Sequence, residues 1–287
     1  MKRTSHRFGG PWTEQKLRVL EGYLSAYTTA LKNTKLGKGH IDAFAGTGYR
    51  DGAESALPDL AEREPQELLD GSARLALKTI PPFDGFVFIE SHTGRRAELE
   101  ALRTEFPNRS IQVRGGDAND QIQDICHLEW ERRRAVLFLD PYGMQVEWKT
   151  IEAVAATRAI DMWLLFPLGI GVNRLLKKSG DIPPEWRHRL SLLLGTENWY
   201  EEFYKVETTR NLFGDDVSHV IKASVETIGK YFNDRLRTVF SGVAPEPLVL
   251  RNSRGSPLYL LCFAAGNPKG GEIAVRIAQS QLSKGWR

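Results

Sequence analysis

The residues that are best suited to take part in a reaction directly follow the apolar run of residues 135–139; they are Asp140, Pro141 and Tyr142. The carboxylate of Asp140 and the main-chain carbonyl of Pro141 can accept the two hydrogens of an exocyclic amine, which keeps the nitrogen lone pair directed at an electrophile. The Tyr142 ring can stack on a flat base. This pattern predicts a catalytic loop that acts on an amino nitrogen. The alternative is a turn that only ends a strand, with Tyr142 in the core.

A second group of candidate residues begins at Asp42 and includes Phe44, Gly46 and Gly48. The two glycines let the backbone approach a ligand closely. The Asp42 carboxylate can accept a hydrogen bond from an amino group. A ligand-binding loop and a tight strand-to-helix turn both need glycines at such positions, so both interpretations stay open for this segment taken alone.

Glu90 and Asp117 are the acids that end two later apolar runs. The two oxygens of Glu90 suit the two hydroxyls of a ribose. Asp117, with the backbone of Ala118 and Asn119 beside it, can accept a hydrogen bond from an adenine amino group. Each acid alone is more typical of an exposed carboxylate. Taken in chain order with Asp42, however, they match the amino group, ribose and adenine of S-adenosylmethionine (SAM), which is therefore the predicted cofactor.

A folded scaffold must bring these acids close together. Apolar runs that alternate with helical patterns along the chain indicate such a scaffold. An amphipathic helix over residues 12–32, capped by Thr13, precedes a turn at residues 37–39. The predicted strands that follow, separated by helices, are residues 40–44, 85–90, 111–113, 135–140 and 160–166. This order predicts an α/β fold with a doubly wound, mostly parallel sheet. Ligands bind such sheets outside the carboxyl ends of the strands.

The regular alternation of predicted strands and helices ends after the fifth predicted strand. Residues 167–230 contain several helical patches and an aromatic cluster at 199–204, and we interpret them as a helical insertion that caps the sheet. Two apolar runs at 248–250 and 258–264 then predict a pair of strands that close the sheet. The expected organisation is one domain over residues 1–287 that carries this insertion.

Composition excludes several other classes of protein. The 39 Lys and Arg residues against 36 Asp and Glu residues give a net charge of +3, which does not by itself imply nucleic-acid binding. No run approaches the roughly 20 apolar residues of a membrane span. Cys126 and Cys262 lie far apart, so no metal site is predicted. We therefore expect a cytoplasmic protein without a membrane partner.

Several segments of the chain resemble the bacterial three-Cys-motif partner family (TcmP). That family resembles class I SAM-dependent methyltransferases, with their Rossmann-like fold, and is named for an associated protein with a three-cysteine motif similar to radical-SAM enzymes. The resemblance implies such a three-cysteine protein as a genetic or physical partner. It rests on residues 8–13, 16–17, 23–27, 41–48, 138–143 and 165–167.

The sequence thus predicts a SAM-dependent methyltransferase that acts on an amino nitrogen, with a nucleobase in nucleic acid as the expected acceptor. The loop at Asp140 also resembles the Asp-Pro-Pro-Tyr loop of amino-methyltransferases, but it has one proline and Gly143 follows the tyrosine. The alternative is a methyltransferase-like docking protein for the three-cysteine partner. A metal-dependent enzyme that uses Asp117, Asp140 and Asp161 is disfavoured, because the spacing of a metal cage is missing.

Overall fold

The computed structural model describes residues 11–43, 67–141, 143–210, 213 and 215–285. Its first part alternates strands with helices. The strands are β1 (Gly37–Ala43), β2 (Gly85–Ile89), β3 (Ile111–Arg114), β4 (Arg133–Leu139) and β5 (Ile160–Phe166). The helices are α1 (Pro11–Leu31), α2 (Glu67–Lys78), α3 (Thr93–Glu105), α4 (Ala118–Cys126) and α5 (Trp148–Ala156).

The remaining part of the described chain is less regular. A π-helical turn, Leu168–Val172, leads into the helices α6 (Asn173–Leu175), α7 (Pro184–Leu194) and α8 (Trp199–Phe203). The hairpin strands β6 (Tyr204–Arg210) and β7 (Asp216–Lys222) precede α9 (Val225–Arg237). The last elements are β8 (Gly242–Val243), β9 (Leu248–Arg251), β10 (Pro257–Ala265) and α10 (Gly271–Lys284).

The central sheet of the described residues has eight strands, in the order β3-β2-β1-β4-β5-β10-β8, with β9 also paired to β10. The strands β1 to β5 are parallel to their neighbours, whereas β10 is antiparallel to β5, β8 and β9. The predicted α/β fold with a mostly parallel sheet is therefore confirmed. The predicted closing pair of strands corresponds to β9 and β10.

Helices cover both faces of this sheet. One apolar cluster joins the sheet to α1, α2, α3 and α10, and the other joins it to α4, α5, α7 and α9. The central strands β4 and β5 are buried over most of their length, as expected for parallel strands covered on both sides. This is why they read in the sequence as nearly continuous apolar runs.

Two details of the predicted first elements are wrong. Helix α1 begins at Pro11, so Thr13 lies inside its first turn instead of capping it, and the buried Thr13 hydroxyl has no hydrogen-bond partner among the described residues. Gly37 and Gly39, predicted as a turn, belong to β1 and pair with Arg133 and Ala135 of β4. The ladder to β4 extends the strand, because two glycines do not prevent backbone pairing.

The insertion predicted as helical over residues 167–230 also contains a β-hairpin. Strands β6 and β7 pair in antiparallel register from Tyr204 with Lys222 to Arg210 with Asp216. Both strands are rich in β-branched residues, which favour extended backbone over helix. Helix α9 begins in this segment and ends seven residues beyond 230. The assignment of residues 1–287 to one domain stays a prediction.

None of the helices in the described part of the chain has both the length and the apolar character needed to cross a membrane. The cytoplasmic location stays a prediction.

His40 is a buried polar residue beside the apolar cluster beneath α1. Its side chain is fully buried in β1 against Phe83 and Phe86, with ring centroids 5.5 and 6.4 Å away. Neither ring nitrogen has a hydrogen-bond partner among the described residues. Burial lowers the pKa of His40 to about 3, so the folded chain keeps this ring neutral.

His40→Leu should flatten the acid dependence of stability. Unfolded His40 binds a proton near pH 6.5 and folded His40 does not, so the wild type should lose stability as the pH falls from 6.5 toward 3. The slope from this residue is at most about 1.4 kcal/mol per pH unit. Urea unfolding at several pH values measures it, with His188→Asn on exposed α7 as the control. Parallel curves for wild type and His40→Leu would contradict this assignment.

Candidate cofactor and substrate site

The register of the parallel strands places three of the predicted acids at one edge of the sheet. Ala43 at the end of β1 pairs with Ile89 of β2 and with Leu139 of β4. Glu90 and Asp140 therefore follow the ends of the two strands that flank β1, and Asp42 precedes the end of β1 itself. The backbone amide of Asp140 donates to the Ala43 carbonyl at 3.3 Å. The sheet thus brings Asp42, Glu90 and Asp140 together, as the sequence predicts.

Asp42 is buried, and one of its carboxyl oxygens has no hydrogen-bond partner in the part of the chain that the structure describes. The side chain is 1% exposed, and the Ser72 side chain on α2 hydrogen-bonds to it. The other oxygen, Oδ2, has no hydrogen-bond partner among the described residues. Burial is the largest cause that raises the pKa of Asp42 to about 7; the nearby Asp140 also raises it, whereas Ser72 and Lys16 lower it. Asp42 is therefore an acceptor whose charge is incompletely compensated.

Glu90, which follows the end of β2, is also a buried acid with one carboxyl oxygen that has no hydrogen-bond partner among the described residues. It is 1% exposed, and its Oε1 accepts the backbone N–H of His92 at 2.6 Å. Its Oε2 is buried and has no hydrogen-bond partner within the described residues. Burial raises the pKa of Glu90, while the His92 amide and the charges of Arg95 and Arg96 lower it. Its backbone amide donates to the main-chain carbonyl of Arg114 at the end of β3, which links this acid to the neighbouring strand.

Asp117 has a structural role that the sequence analysis did not assign. It caps α4: its Oδ1 accepts the backbone N–H groups of Asn119 and Asp120, at 2.8 and 3.3 Å. The side chain is exposed, whereas Ala118, the first residue of α4, is buried. Gly116 precedes the cap with φ of +109°, a conformation that favours glycine. Asp117 thus lies at the open edge beside β3, with one oxygen engaged by the helix.

Asn119 links the start of α4 to the segment after Asp140. Its side chain is buried, and its Nδ2 donates to the Gln145 carbonyl at 3.0 Å. Its Oδ1 accepts the backbone N–H of Glu147 and the hydroxyl of Thr150, both at 3.0 Å. The sequence analysis considered only the backbone of Asn119. The side chain fixes the connection from β4 to α5, and hence the exit of the candidate catalytic loop.

The structure adds Lys16 to the site. From the sequence, this residue was noted only as part of a segment that resembles the three-Cys-motif partner family. The Nζ of Lys16 on α1 lies 2.5 Å from Oδ2 of Asp140. Lys16 is fully buried, and its ammonium lies over the rings of Trp12 and Phe138, at 5.2 and 5.9 Å from their centroids. Asp140 is 23% exposed at its side chain. A signal existed, because Lys16 occupies the apolar stripe of α1 between Trp12 and Leu20.

The remaining predicted residues divide into two groups. Pro141 is buried directly after Asp140, and Gly143 has φ of +76°, which suits a glycine in a turn. The other four lie outside the residues that the structure describes; these are Phe44, Gly46, Gly48 and Tyr142. The described part of the site therefore consists of buried acids at strand ends, a buried lysine and the capped start of α4.

A metal centre is not formed by this part of the chain. Among the described residues, no three His, Cys, Asp or Glu side chains lie close enough together to hold a metal ion. Asp161, one of the three acids of the disfavoured metal hypothesis, lies near the amino end of β5, whereas Asp140 follows the carboxyl end of β4.

Comparison with known proteins finds similar structures only at low identity. No family model and no curated protein matches the chain. Protein LPL1258 of Legionella pneumophila is 12% identical with a TM-score of 0.49, over 96% of this chain and 93% of that one. The N-terminal domain of EvdMO1 with SAH bound is 10% identical with a TM-score of 0.38, over 85% of this chain and 80% of that one.

A third solved structure is that of the 23S rRNA methyltransferase ErmE. It is 10% identical with a TM-score of 0.27, over 91% of this chain and 96% of that one. Similarities at these values assign neither a family nor an activity to this chain. The resemblance to the three-Cys-motif partner family is not confirmed by them.

The buried ion pair makes a testable contribution to stability. Asp140→Ala should lower the free energy of unfolding by about 3 to 5 kcal/mol, because it leaves the Lys16 ammonium buried and unpaired. Lys16→Met should cost less, since Asp140 is partly exposed and can be hydrated. The double variant should recover much of the loss of Asp140→Ala. Urea unfolding of all three variants gives the coupling between the two residues.

The matched control is the exposed pair of Glu100 and Arg103 on α3, whose charged atoms are 2.8 Å apart. Its removal should change the free energy of unfolding by at most about 0.5 kcal/mol. Additive effects of Lys16→Met and Asp140→Ala would show that the buried pair does not act as a unit.

Proposed function

We propose that this chain is a methyltransferase that binds SAM at the carboxyl ends of β1, β2 and β3 and methylates an amino nitrogen beside Asp140. The acceptor that we propose is a nucleobase in nucleic acid. The observation that carries the proposal is the pair of buried carboxyls, Asp42 and Glu90, at the ends of adjacent strands, each with one oxygen that has no hydrogen-bond partner among the described residues.

The donor groups of SAM fit the acceptors present at this edge. An amino group that binds Oδ2 of Asp42 would satisfy a buried acceptor and compensate its charge. Oε2 of Glu90 is available to a ribose hydroxyl, and its Oε1 can accept a second hydrogen bond besides that of His92. Asp117, at the next strand end, is exposed beside the buried Ala118. The order of these acceptors across β1, β2 and β3 supports the adenosine orientation predicted from the sequence.

Asp140 is held in place for a substrate by groups on two other elements. Lys16 fixes its Oδ2 from α1, and the Ala43 carbonyl fixes its amide from β1. The partial exposure of the side chain leaves an approach for an amine from solvent. When bound, SAM supplies an electrophilic methyl group. In this proposal Asp140 and the Pro141 carbonyl orient the amine, so that catalysis comes from positioning and not from a covalent intermediate on the protein.

A docking protein for a three-cysteine partner is the second candidate, and the hairpin of β6 and β7 favours it. Beyond Tyr204 the residues of β6 are exposed, including Val206, which is 68% exposed. On β7, Val220 and Ile221 are 42% and 43% exposed. Two-stranded hairpins are marginally stable alone, and exposed apolar side chains on one indicate contact with another molecule. In this alternative the SAM site has lost its activity.

Glu90→Gln should weaken SAM binding by about 10- to 100-fold. The substitution preserves the size of the side chain but removes the charge that strengthens hydrogen bonds to ribose hydroxyls, worth about 1.5 to 3 kcal/mol. Isothermal titration calorimetry with SAM and with SAH measures it. The matched control is Glu98→Gln on the exposed surface of α3, which should leave the affinity unchanged. Equal affinity of wild type and Glu90→Gln would remove Glu90 from the cofactor site.

Asp140→Asn should leave SAM affinity within about twofold of the wild type and reduce methyl transfer by about 100-fold or more. The asparagine oxygen can still accept from Lys16, so the variant should fold. Transfer of labelled methyl to single-stranded and duplex DNA and RNA measures the activity, with the three-cysteine partner present and absent. SAM binding without transfer to any of these acceptors would contradict the enzymatic proposal in favour of the docking protein.

A further inference from the structure

A second group of buried polar side chains lies at the opposite edge of the sheet. Arg134 is the second residue of β4 and Asp161 the second residue of β5, whereas Asp140 follows the carboxyl end of β4. The six residue steps from Arg134 to Asp140 span about 20 Å of extended strand. Tyr23 and Tyr27 of α1 pack against this amino-terminal edge. The group is therefore separate from the proposed SAM site.

These polar side chains line a cavity of about 200 Å³ between α1, the start of α10 and the amino ends of β4 and β5. For comparison, a cavity of about 150 Å³ binds benzene. The cavity therefore has room for a fused pair of rings. Its remaining walls are largely apolar, with Leu31, Leu36, Ala274 and Ile277 among them. Ile273 also lines it and is 52% exposed, so the cavity reaches the protein surface.

The polar part of the cavity contains both acceptors and donors. Asp161 accepts the Tyr23 hydroxyl at 2.8 Å and the Gly266 backbone N–H at 3.1 Å, one on each oxygen. A carboxylate has about four acceptor positions, so two remain. The guanidinium of Arg134 is fixed by hydrogen bonds from Nη1 to the carbonyls of Trp130 and Arg133.

Two groups beside Asp161 are buried without a hydrogen-bond partner among the described residues. They are the hydroxyl of Tyr27, a residue 8% exposed, and the Nε of Arg134. Tyr27, Arg134 and Asp161 line the same cavity, and burial raises the pKa of Tyr27, with Asp161 raising it as well and Arg134 lowering it. An unsatisfied buried polar group costs about 1 to 3 kcal/mol, and such groups in a native protein call for a functional explanation.

We propose that this cavity binds a planar heterocycle of purine size. A ring N–H or amino group would donate to Asp161, and an adjacent ring nitrogen or carbonyl oxygen would accept from Arg134 and Tyr27. The apolar walls and the two tyrosine rings suit the faces of such a ring system. Adjacent donor and acceptor groups on a flat frame are the feature that purine bases share. This site is independent of the proposed methyltransferase function.

Other ligand classes fit less well. A phosphate or carboxylate would meet the Asp161 carboxylate next to Arg134, and burial near a like charge is unfavourable. A purely apolar ligand would leave the Tyr27 hydroxyl and Arg134 Nε unsatisfied. A metal ion would find only one carboxylate. Asp161 as an acceptor, with Tyr27 and Arg134 as donors, favours a neutral ligand that carries both kinds of group.

Calorimetric titration of the full chain with adenine and with hypoxanthine tests the proposal. Indole, which has a similar size but no ring acceptor, is the control ligand. At least one purine should bind, and at least about tenfold more tightly than indole. The titrations are repeated with saturating SAH, which should not compete. Purine affinities no better than that of indole, or weaker than about 1 mM, would overturn the proposal.

Three variants locate the binding. Tyr27→Phe and Asp161→Asn should each weaken purine binding by about tenfold or more, the effect of losing a hydrogen bond in a buried site. Tyr27→Phe should not lower the urea midpoint, since it removes a hydroxyl that has no hydrogen-bond partner among the residues that the structure describes. Glu90→Gln should leave purine affinity unchanged. Binding that Glu90→Gln abolishes and Tyr27→Phe preserves would place the purine at the other edge of the sheet and overturn the proposal. Failure of SAM to bind would leave this test unaffected.

Discussion

The ion pair between Lys16 and Asp140 is the interaction on which the candidate site depends. A buried ammonium is stable only beside a compensating charge, so Lys16 constrains α1 to lie over the end of β4. The rings of Trp12 and Phe138 enclose the ammonium and exclude water from it. Because the same lysine also lowers the pKa of Asp42, one side chain of α1 influences the acids at the ends of two adjacent strands.

Buried polar atoms that face a candidate ligand site lie at both edges of the sheet. The middle of β4 and β5 is apolar, whereas Asp42 and Glu90 lie at one edge and Asp161 and Arg134 near the other. Burial raises the pKa of Asp42 to about 7 and that of Asp161 to about 6, so both acids oppose folding when they ionise. A scaffold without ligands has no evident need for acids that cost stability at neutral pH.

The sequence was sufficient to predict the five parallel strands and the edge where their acids meet. Fully covered strands need continuous apolar runs, and period and register then determine which residues end each strand. The contact of Lys16 could not be predicted in this way, because its partner Asp140 lies 124 residues away and no local pattern encodes that contact. The same holds for the side chain of Asn119, which contacts a segment beginning at Gln145. The hairpin was missed because aromatic and polar residues of the insertion suggested helices.

Charge compensation connects the two carboxyls of the candidate site. Lys16 carries one positive charge and faces both Asp140, at 2.5 Å, and the more deeply buried Asp42. Burial is the main cause of the raised pKa of Asp42, and the nearby Asp140 adds to it because one cation cannot fully compensate two carboxylates. In the proposed function, the amino group of the cofactor supplies the second positive charge, and its binding favours the ionised form of Asp42. Lys16 then compensates the charge of Asp140 alone and holds that carboxylate for the substrate.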